Sequence, residues 1–208
     1  MKKLTSMLCL MVFLLIGATS CDNNGSLEAG KAAYERGNCK TALRELMPLA
    51  EQGDGEAMLH IGLVVEAGFI KGCKGKRFEQ NFIEAQDWYR KSAEAGNAAG
   101  QMGYAYALSA PEFCRDKCDN RKSVAWYRKS AEQGHAHAQH NLCLHYKTGE
   151  GVAKDYVYAY MWCNLSNENG RAAGGRDREK IAAKMTPSQI AEAQKLTREC
   201  ILKKYKDC

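Results

Sequence analysis

An all-α solenoid of stacked helical hairpins is the fold class this sequence predicts, and three observations predict it. A short phrase recurs as Leu49-Ala-Glu-Gln-Gly53, Ser92-Ala-Glu-Ala-Gly96, Ser130-Ala-Glu-Gln-Gly134 and, in worn form, Ser166-Asn-Glu-Asn-Gly170. Its glycines are 43, 38 and 36 residues apart, a period that stacked helical repeats use. All three tryptophans of the chain, Trp88, Trp126 and Trp162, stand eight residues before one of these glycines.

The first segment, residues 1–20, reads as a secretory signal peptide. Lys2 and Lys3 precede an apolar run from Met7 to Ile16, which is too short to span a bilayer, and small residues follow at Gly17-Ala-Thr-Ser20. Ala18-Thr-Ser-Cys21 resembles the lipobox of bacterial lipoproteins, with Ala18 where that family usually has Leu, so Cys21 is the expected lipidation site. Ala18-x-Ser20 also suits the ordinary signal peptidase. In that resemblance Asp22 leans toward inner-membrane retention. Residues 21–26 are polar and read as a tether.

About 188 residues remain, enough for one domain with a sizeable core. The formal charge of +6 includes Lys2 and Lys3, and the remaining basic residues are scattered except at Lys203, Lys204 and Lys206. No nucleic-acid-binding signature accompanies them, so nucleic acid is not an expected partner.

The repeats divide the rest into an N-terminal hairpin at 27–53, units at 54–96, 97–134 and 135–170, and a cap at 171–208. Before Gly96, Ala85, Trp88, Tyr89, Ser92 and Ala93 fall at helical spacing on one apolar and small face. The same register holds Ala42, Leu46, Leu49 and Ala50 upstream, and Ser123, Trp126, Tyr127, Ser130 and Ala131 downstream. Each glycine then stops the helix in a left-handed conformation. A second helix follows each stop, over 56–67, 98–108 and 136–147. Gly62, Ala105 and Cys143 are small inward residues that permit close approach of the paired helices. Thr186-Pro-Ser-Gln189 offers an N-cap, a first-turn proline and a capping-box glutamine to a closing helix.

The residues Trp126-Tyr-Arg-Lys-Ser-Ala-Glu-Gln-Gly134, then Ala138-Gln139, Leu142, Tyr146 and Gly149-Glu-Gly-Val-x-x-Asp155, resemble the Sel1-like, tetratricopeptide-like repeat. Met185-Thr-Pro-Ser-Gln-Ile-Ala-Glu-Ala-Gln194 is similar to the close of many bacterial proteins of that family. The resemblance runs from about Ala32 to Leu196. It implies a superhelix of αα-hairpins whose first helices line a concave, protein-binding side. The loops at about 68–83 and 109–122 are longer than the family's glycine-rich loop, and this protein's own character is expected there.

Eight cysteines remain after Cys9 and Cys21, namely Cys39, Cys73, Cys114, Cys118, Cys143, Cys163, Cys200 and Cys208. An even number in an exported chain argues for disulfides. Cys39–Cys73 is reachable across repeats and Cys114–Cys118 locally. Cys143 and Cys163 read equally as buried small apolar residues. Cys200 and Cys208 cannot pair across an unbroken helix, since eight residues rise ~12 Å against the ~7 Å a disulfide permits. Either that helix ends first or Cys200 pairs elsewhere, with Cys163 the candidate. The cysteine-rich Sel1-repeat proteins of gastric bacteria share the architecture, but not this cysteine spacing.

No catalytic constellation is present. Lys147-Thr-Gly149 matches a tripeptide of penicillin-recognising enzymes, yet the chain holds no Ser-x-x-Lys. A β-lactam or cell-wall hydrolase is therefore the weakest reading, and no cofactor is expected. His137 and His140 share a helix face at metal-ligand spacing, but no second ligand pair accompanies them, so no metal is expected. What remains is surface. Off the packing register on the concave helices lie Glu56, His60, Tyr106, His137 and Asn141, with Leu63, Ala99 and Leu144 beside them. These are the expected partner-binding residues, with Tyr106 and the histidines as anchors. The expectation is a non-enzymatic protein-binding module of the periplasm, anchored by lipid to the inner or outer membrane or else secreted. Several small exported Sel1-repeat lipoproteins neutralise phospholipase effectors of type VI secretion, and the resemblance extends that immunity role to this chain. An envelope scaffold in signalling or assembly is the alternative.

Overall fold

In the register of the recurring phrase, helices form where the sequence repeats and stop where it places glycine. The computed structural model describes residues 25–67, 78–114 and 117–208. The expected signal peptide, Cys21 and Cys73 lie outside these residues. The helices are α1 (Leu27–Glu35), α2 (Cys39–Glu51), α3 (Gly55–Ala67), α4 (Phe78–Glu94), α5 (Ala98–Ser109) and α6 (Pro111–Cys114). They continue as α7 (Asn120–Ala131), α8 (Ala136–Thr148), α9 (Tyr156–Glu168), α10 (Ala172–Ala182) and α11 (Pro187–Leu202). No strand occurs among the described residues, and no described helix is long and apolar enough to cross a membrane. Ser26 accepts a hydrogen bond from the Ala29 amide and caps α1, so the fold begins inside the stretch expected to be a tether.

Gly53, Gly96, Gly134 and Gly170 have φ between 84° and 93°, a conformation that side chains with a Cβ disfavour. In three cases the next residue starts the following helix. Asp54 accepts from the amides of Glu56 and Ala57, Asn97 from Gly100, and His135 from Ala138. A two-residue stop and start thus turns the chain back on itself. Neighbouring helices in the chain pack together, and α1 touches α3, α3 touches α5 and α8 touches α10. Those helices are therefore the inner, concave layer. The outer layer is α2, α4, α7 and α9, and α10 and α11 both pack on α9 as the closing elements.

The core is rich in alanine and runs the length of the stack. Trp162 is fully enclosed, whereas Trp88 and Trp126 are only half-buried. In those two helices the following residue, Tyr89 or Tyr127, takes the enclosed place. Lys91 and Lys129 then lie over the exposed indole faces at 4.1 and 3.9 Å from the ring centroids.

A polar ladder joins each inner helix to the outer helix that follows it. Ser92, Ser130 and Ser166, each four residues before a glycine stop, donate to the carbonyls of Gly55, Ala98 and Ala136 at 2.5, 2.6 and 2.8 Å. Those acceptors each lie two residues after the preceding stop. A second rung uses amides. Gln133 donates to Gln101, which donates to the Ala93 carbonyl. Asn169 donates to Gln139, which donates to the Ala131 carbonyl. Gly100 shows why the approach is close, because a Cβ there would lie 2.0 Å from Ser92 Oγ.

Three disulfides lie among the described residues. Cys114–Cys118 is local, with Cα atoms 4.8 Å apart. Cys143–Cys163 joins α8 to α9 in the buried core, so two residues that also read as simple core cysteines are bridged. Cys163 is thus not the partner of Cys200. Helix α11 ends at Leu202, the backbone reverses through Lys204 and Tyr205 at positive φ, and Cys200 pairs with Cys208. Cys39 is disulfide-bonded as well, and its expected partner, Cys73, lies outside the described residues.

Three histidines sit where partial desolvation and neighbouring groups favour the neutral ring. His60 is held below its ordinary pKa by burial and then by the Lys31 charge, His135 by burial and then by His137, and His137 by burial and then by Arg171. His140 is buried between α8 and α10. Arg171 Nε donates to its Nδ1 at 3.2 Å, which leaves Nε2 to donate to Asp177 at 2.8 Å. The histidines are therefore more than a polar surface, since His140 and His145 are buried contacts of the fold.

Two outcomes follow for stability. Replacing Ser130 by Ala removes the hydroxyl's hydrogen bond to the Ala98 carbonyl and is expected to lower the unfolding free energy by about 1 kcal/mol in urea titrations. Ser92→Ala and Ser166→Ala should cost about the same, also about 1 kcal/mol each. Because His60, His135 and His137 have depressed folded pKa values, the unfolded chain binds more protons below pH ~6.5. Their stabilisation is complete above that pH and declines on acidification, so the melting temperature should drop between pH 7.5 and 5. A flat profile over that range would refute this account, and His60→Gln should flatten part of the slope.

Candidate protein-docking face

Five side chains were expected to form the binding surface, and the concave layer carries all of them. Glu56 and His60 stand on α3, Tyr106 on α5, and His137 and Asn141 on α8. The structure divides them into two patches and leaves His137 on its own.

The first patch lies toward the N-terminal end of the stack. Lys31 on α1 forms ion pairs with Glu28 and Glu56, and His60 Nε2 is 4.0 Å from Glu56. Only part of the Glu56 carboxylate remains open to solvent. His60 Nδ1 is buried without a hydrogen-bond partner in the structure. These groups are largely spent on each other, joining α1 to α3.

The second patch is a groove of about 440 Å3 between α5 and α8. Tyr106 forms one wall, and Asn141 and Leu144 form the other. Helix α6, within the second long loop, adds Pro111 and Glu112, while Thr148 and Glu150 close the groove from the glycine-rich turn after α8. Tyr127 of the outer helix α7 reaches through to the floor.

Each wall is fixed by its own contacts. Tyr106 is 42 % exposed, and its hydroxyl donates to Glu112. Its ring meets Phe113 edge-on at 5.9 Å, and Phe113 is buried against Phe82 at 4.5 Å. The hydrogen bond to Glu112, and then burial, push the Tyr106 phenol up to about 12. Burial pushes Tyr127 up to about 12 as well, against hydrogen bonds from Ser109 and Asn141. Both phenols are therefore neutral donors and acceptors at physiological pH. His145 Nδ1 lies 2.8 Å from the Glu150 carbonyl and pins the turn to α8.

His137 stands exposed at the start of α8, its ring 5.8 Å from that of His135. His140 is committed to Arg171 and Asp177, so the pair does not present two open nitrogens. No group of three metal-ligating side chains converges among the described residues. Gly149 of the Lys147-Thr-Gly149 tripeptide is the left-handed C-cap of α8, and the Thr148 hydroxyl donates back to Leu144. Burial raises the Asp177 carboxyl, and the hydrogen bond from His140 and then the Lys147 charge bring it below its ordinary value. The tripeptide is accounted for by the helix exit.

Reasoning from sequence missed Ser109, Glu112, Tyr127 and Glu150. A signal for Glu112 was present: Pro111 at a first helical position with an acidic residue after it marks a helix start. Tyr127 was assigned to packing alone, and nothing in its spacing shows that it also lines a groove.

The Sel1 repeat family matches residues 72–97, 98–135 and 136–170. Among curated proteins none matches the chain. A solved structure of a protective antigen present in uropathogenic Escherichia coli strains, displaying an SLR fold, is 29 % identical, with a TM-score of 0.70. That similarity covers 86 % of this chain and 41 % of the antigen. A Sel1 repeat protein from Oxalobacter formigenes is 27 % identical with a TM-score of 0.61, over 74 % of this chain and 59 % of that one. The chain thus spans about two fifths to three fifths of the chains it resembles. The recurring phrase, the glycine stops and the matched segments coincide, and residues 72–170 carry three consecutive Sel1 repeats.

Proposed function

We propose that this protein is a non-enzymatic docking module of the bacterial cell envelope, holding one protein partner on its concave face. The observation that carries the reading is the groove between α5 and α8. Side chains from two successive repeats and from an inserted loop line it, with an exposed aromatic at its wall. Exposed aromatics next to hydrogen-bonding groups are the usual anchors of protein interfaces. Export through residues 1–20 and anchoring through Cys21 complete the proposal, with the periplasm as its location. Disulfides among the described residues support an oxidising compartment.

The finer reading is an immunity protein that binds and neutralises a lipase effector of type VI secretion. Its support is the family resemblance, the export signal and the absence of a catalytic constellation from the sequence. Cells expressing a lipase-like effector from a neighbouring gene in the periplasm should survive when this protein is co-expressed there. Tyr106→Ala should weaken effector binding by about 2 kcal/mol, some 30-fold in Kd, with the melting temperature retained. No protection by the wild-type chain would refute the immunity role, and capture of resident envelope proteins instead would favour the scaffold reading.

Lipidation is tested separately. Cys21→Ser should move the protein from the membrane fraction to the soluble periplasmic fraction. An unchanged distribution would refute the anchor.

A further inference from the structure

The groove between α5 and α8 carries a chemistry of its own, and reading it rests on the docking proposal above. Two carboxylates, Glu112 and Glu150, stand among its lining residues, and none of the lining residues is Lys or Arg. That is a local excess of negative charge in a chain whose formal net charge is +6. Two cations of the flanking helices α7 and α8 make interactions of their own. Lys147 faces Asp177 and Tyr156, and the Arg128 guanidinium donates to the Tyr146 hydroxyl. Glu66, hydrogen-bonded to Tyr89, adds its charge near Tyr106, and this field contributes to the raised Tyr106 phenol.

The wall between the carboxylates is mostly apolar. Tyr106, Ala110, Pro111 and Leu144 offer carbon surface, while Ser109 and Asn141 offer polar atoms beneath it. Apolar sides with acceptors at rim and floor complement a long aliphatic stem that ends in a planar cation. A volume of about 440 Å3 suits one such side chain with its flanking backbone, whereas a helix, about 10–12 Å across, is too wide for it. A guanidinium fits better than an ammonium, because it stacks on an aromatic ring while bonding a carboxylate through two N–H groups. An anionic ligand would meet two carboxylates, with no Lys or Arg among the described lining residues.

We infer that this groove seats a single arginine side chain, presented by an exposed extended segment of the partner protein. Glu112 and Glu150 hold the guanidinium, and Tyr106 packs its stem. Glu112 is itself oriented by the Tyr106 hydroxyl, so ring and carboxylate act as one wall.

The test uses the purified mature protein and blocked pentapeptides with arginine, lysine, citrulline or glutamate between glycines. The arginine peptide should shift the amide resonances of Tyr106 and Asn141 saturably. It should bind about tenfold more tightly than the citrulline peptide, with lysine between them. The double variant Glu112→Gln/Glu150→Gln should lose that preference. Both residues are exposed, so its helical circular dichroism should match the wild type. Thr148→Lys, which adds an ammonium at the rim, should also weaken the arginine peptide. Equal binding of arginine and citrulline, a preference for glutamate, absence of saturable shifts, or an unchanged preference in the double variant would each overturn the inference. Partner capture that is undiminished by the double variant would sink the arginine seat and uphold the docking reading. An arginine preference without any captured partner would do the opposite.

Discussion

The stack depends on one recurring contact, in which a serine hydroxyl of an outer helix lands on a carbonyl in the first turn of the inner helix that precedes it. Ser92, Ser130 and Ser166 each make it. The contact requires two helices to meet with little between them, which is why the fourth residue after each stop is Ala57, Gly100, Ala138 or Gly174. At Gly174 a Cβ would lie 2.5 Å from the Cys163 carbonyl oxygen. Small residues create the approach, and the carbonyl, already bonded within its own helix, gives the buried serine hydroxyl an acceptor. The first turn of the array lacks this device, because Leu49 occupies the serine position and apolar packing joins α2 to its neighbours.

Curvature follows from the same geometry. Inner helices close enough to touch across repeats, α1 on α3 and α3 on α5, leave a concave layer with little free surface. Toward the N-terminal end that surface is used up by ion pairs among Lys31, Glu28 and Glu56. Between α5 and α8 it is not, because α6 is inserted there and stands as an extra wall. Phe113 roots the wall in the core through Phe82 and Tyr89, so it is part of the packed structure rather than an appended loop. The position of the groove is therefore set by an insertion into an otherwise regular array.

How much of this was legible in the sequence depends on what repetition encodes. Helix boundaries over 56–67, 98–108 and 136–147 match α3, α5 and α8 to within a residue at each end, because glycine stops and capping residues act locally. Tyr106 and Asn141 were selectable because they lie off the packing register. Their meeting across a groove with Glu112 and Glu150 was not, since it depends on the path of a loop with no period. The half-burial of Trp88 and Trp126 was hidden for a related reason. Spacing identifies a face, while the small rotation that encloses Tyr89 and Tyr127 in place of the indoles comes from tertiary packing. The Cys200–Cys208 bridge needed a helix end at Leu202, and no proline or glycine announces one there.

The bridge between Cys143 and Cys163 has a consequence for recognition. It fastens α8 to α9 on the side away from the groove, while the hydrogen bond of His140 with Asp177 fastens α8 to α10. A helix held from behind at two points presents Asn141 and Leu144 in the same geometry before and after an encounter. Little conformational freedom is left for this wall to surrender on association, so the entropic penalty of complex formation falls mainly on the incoming chain. Under the docking proposal, such a rigid wall selects sharply on shape and tolerates few departures from the contour that fits it.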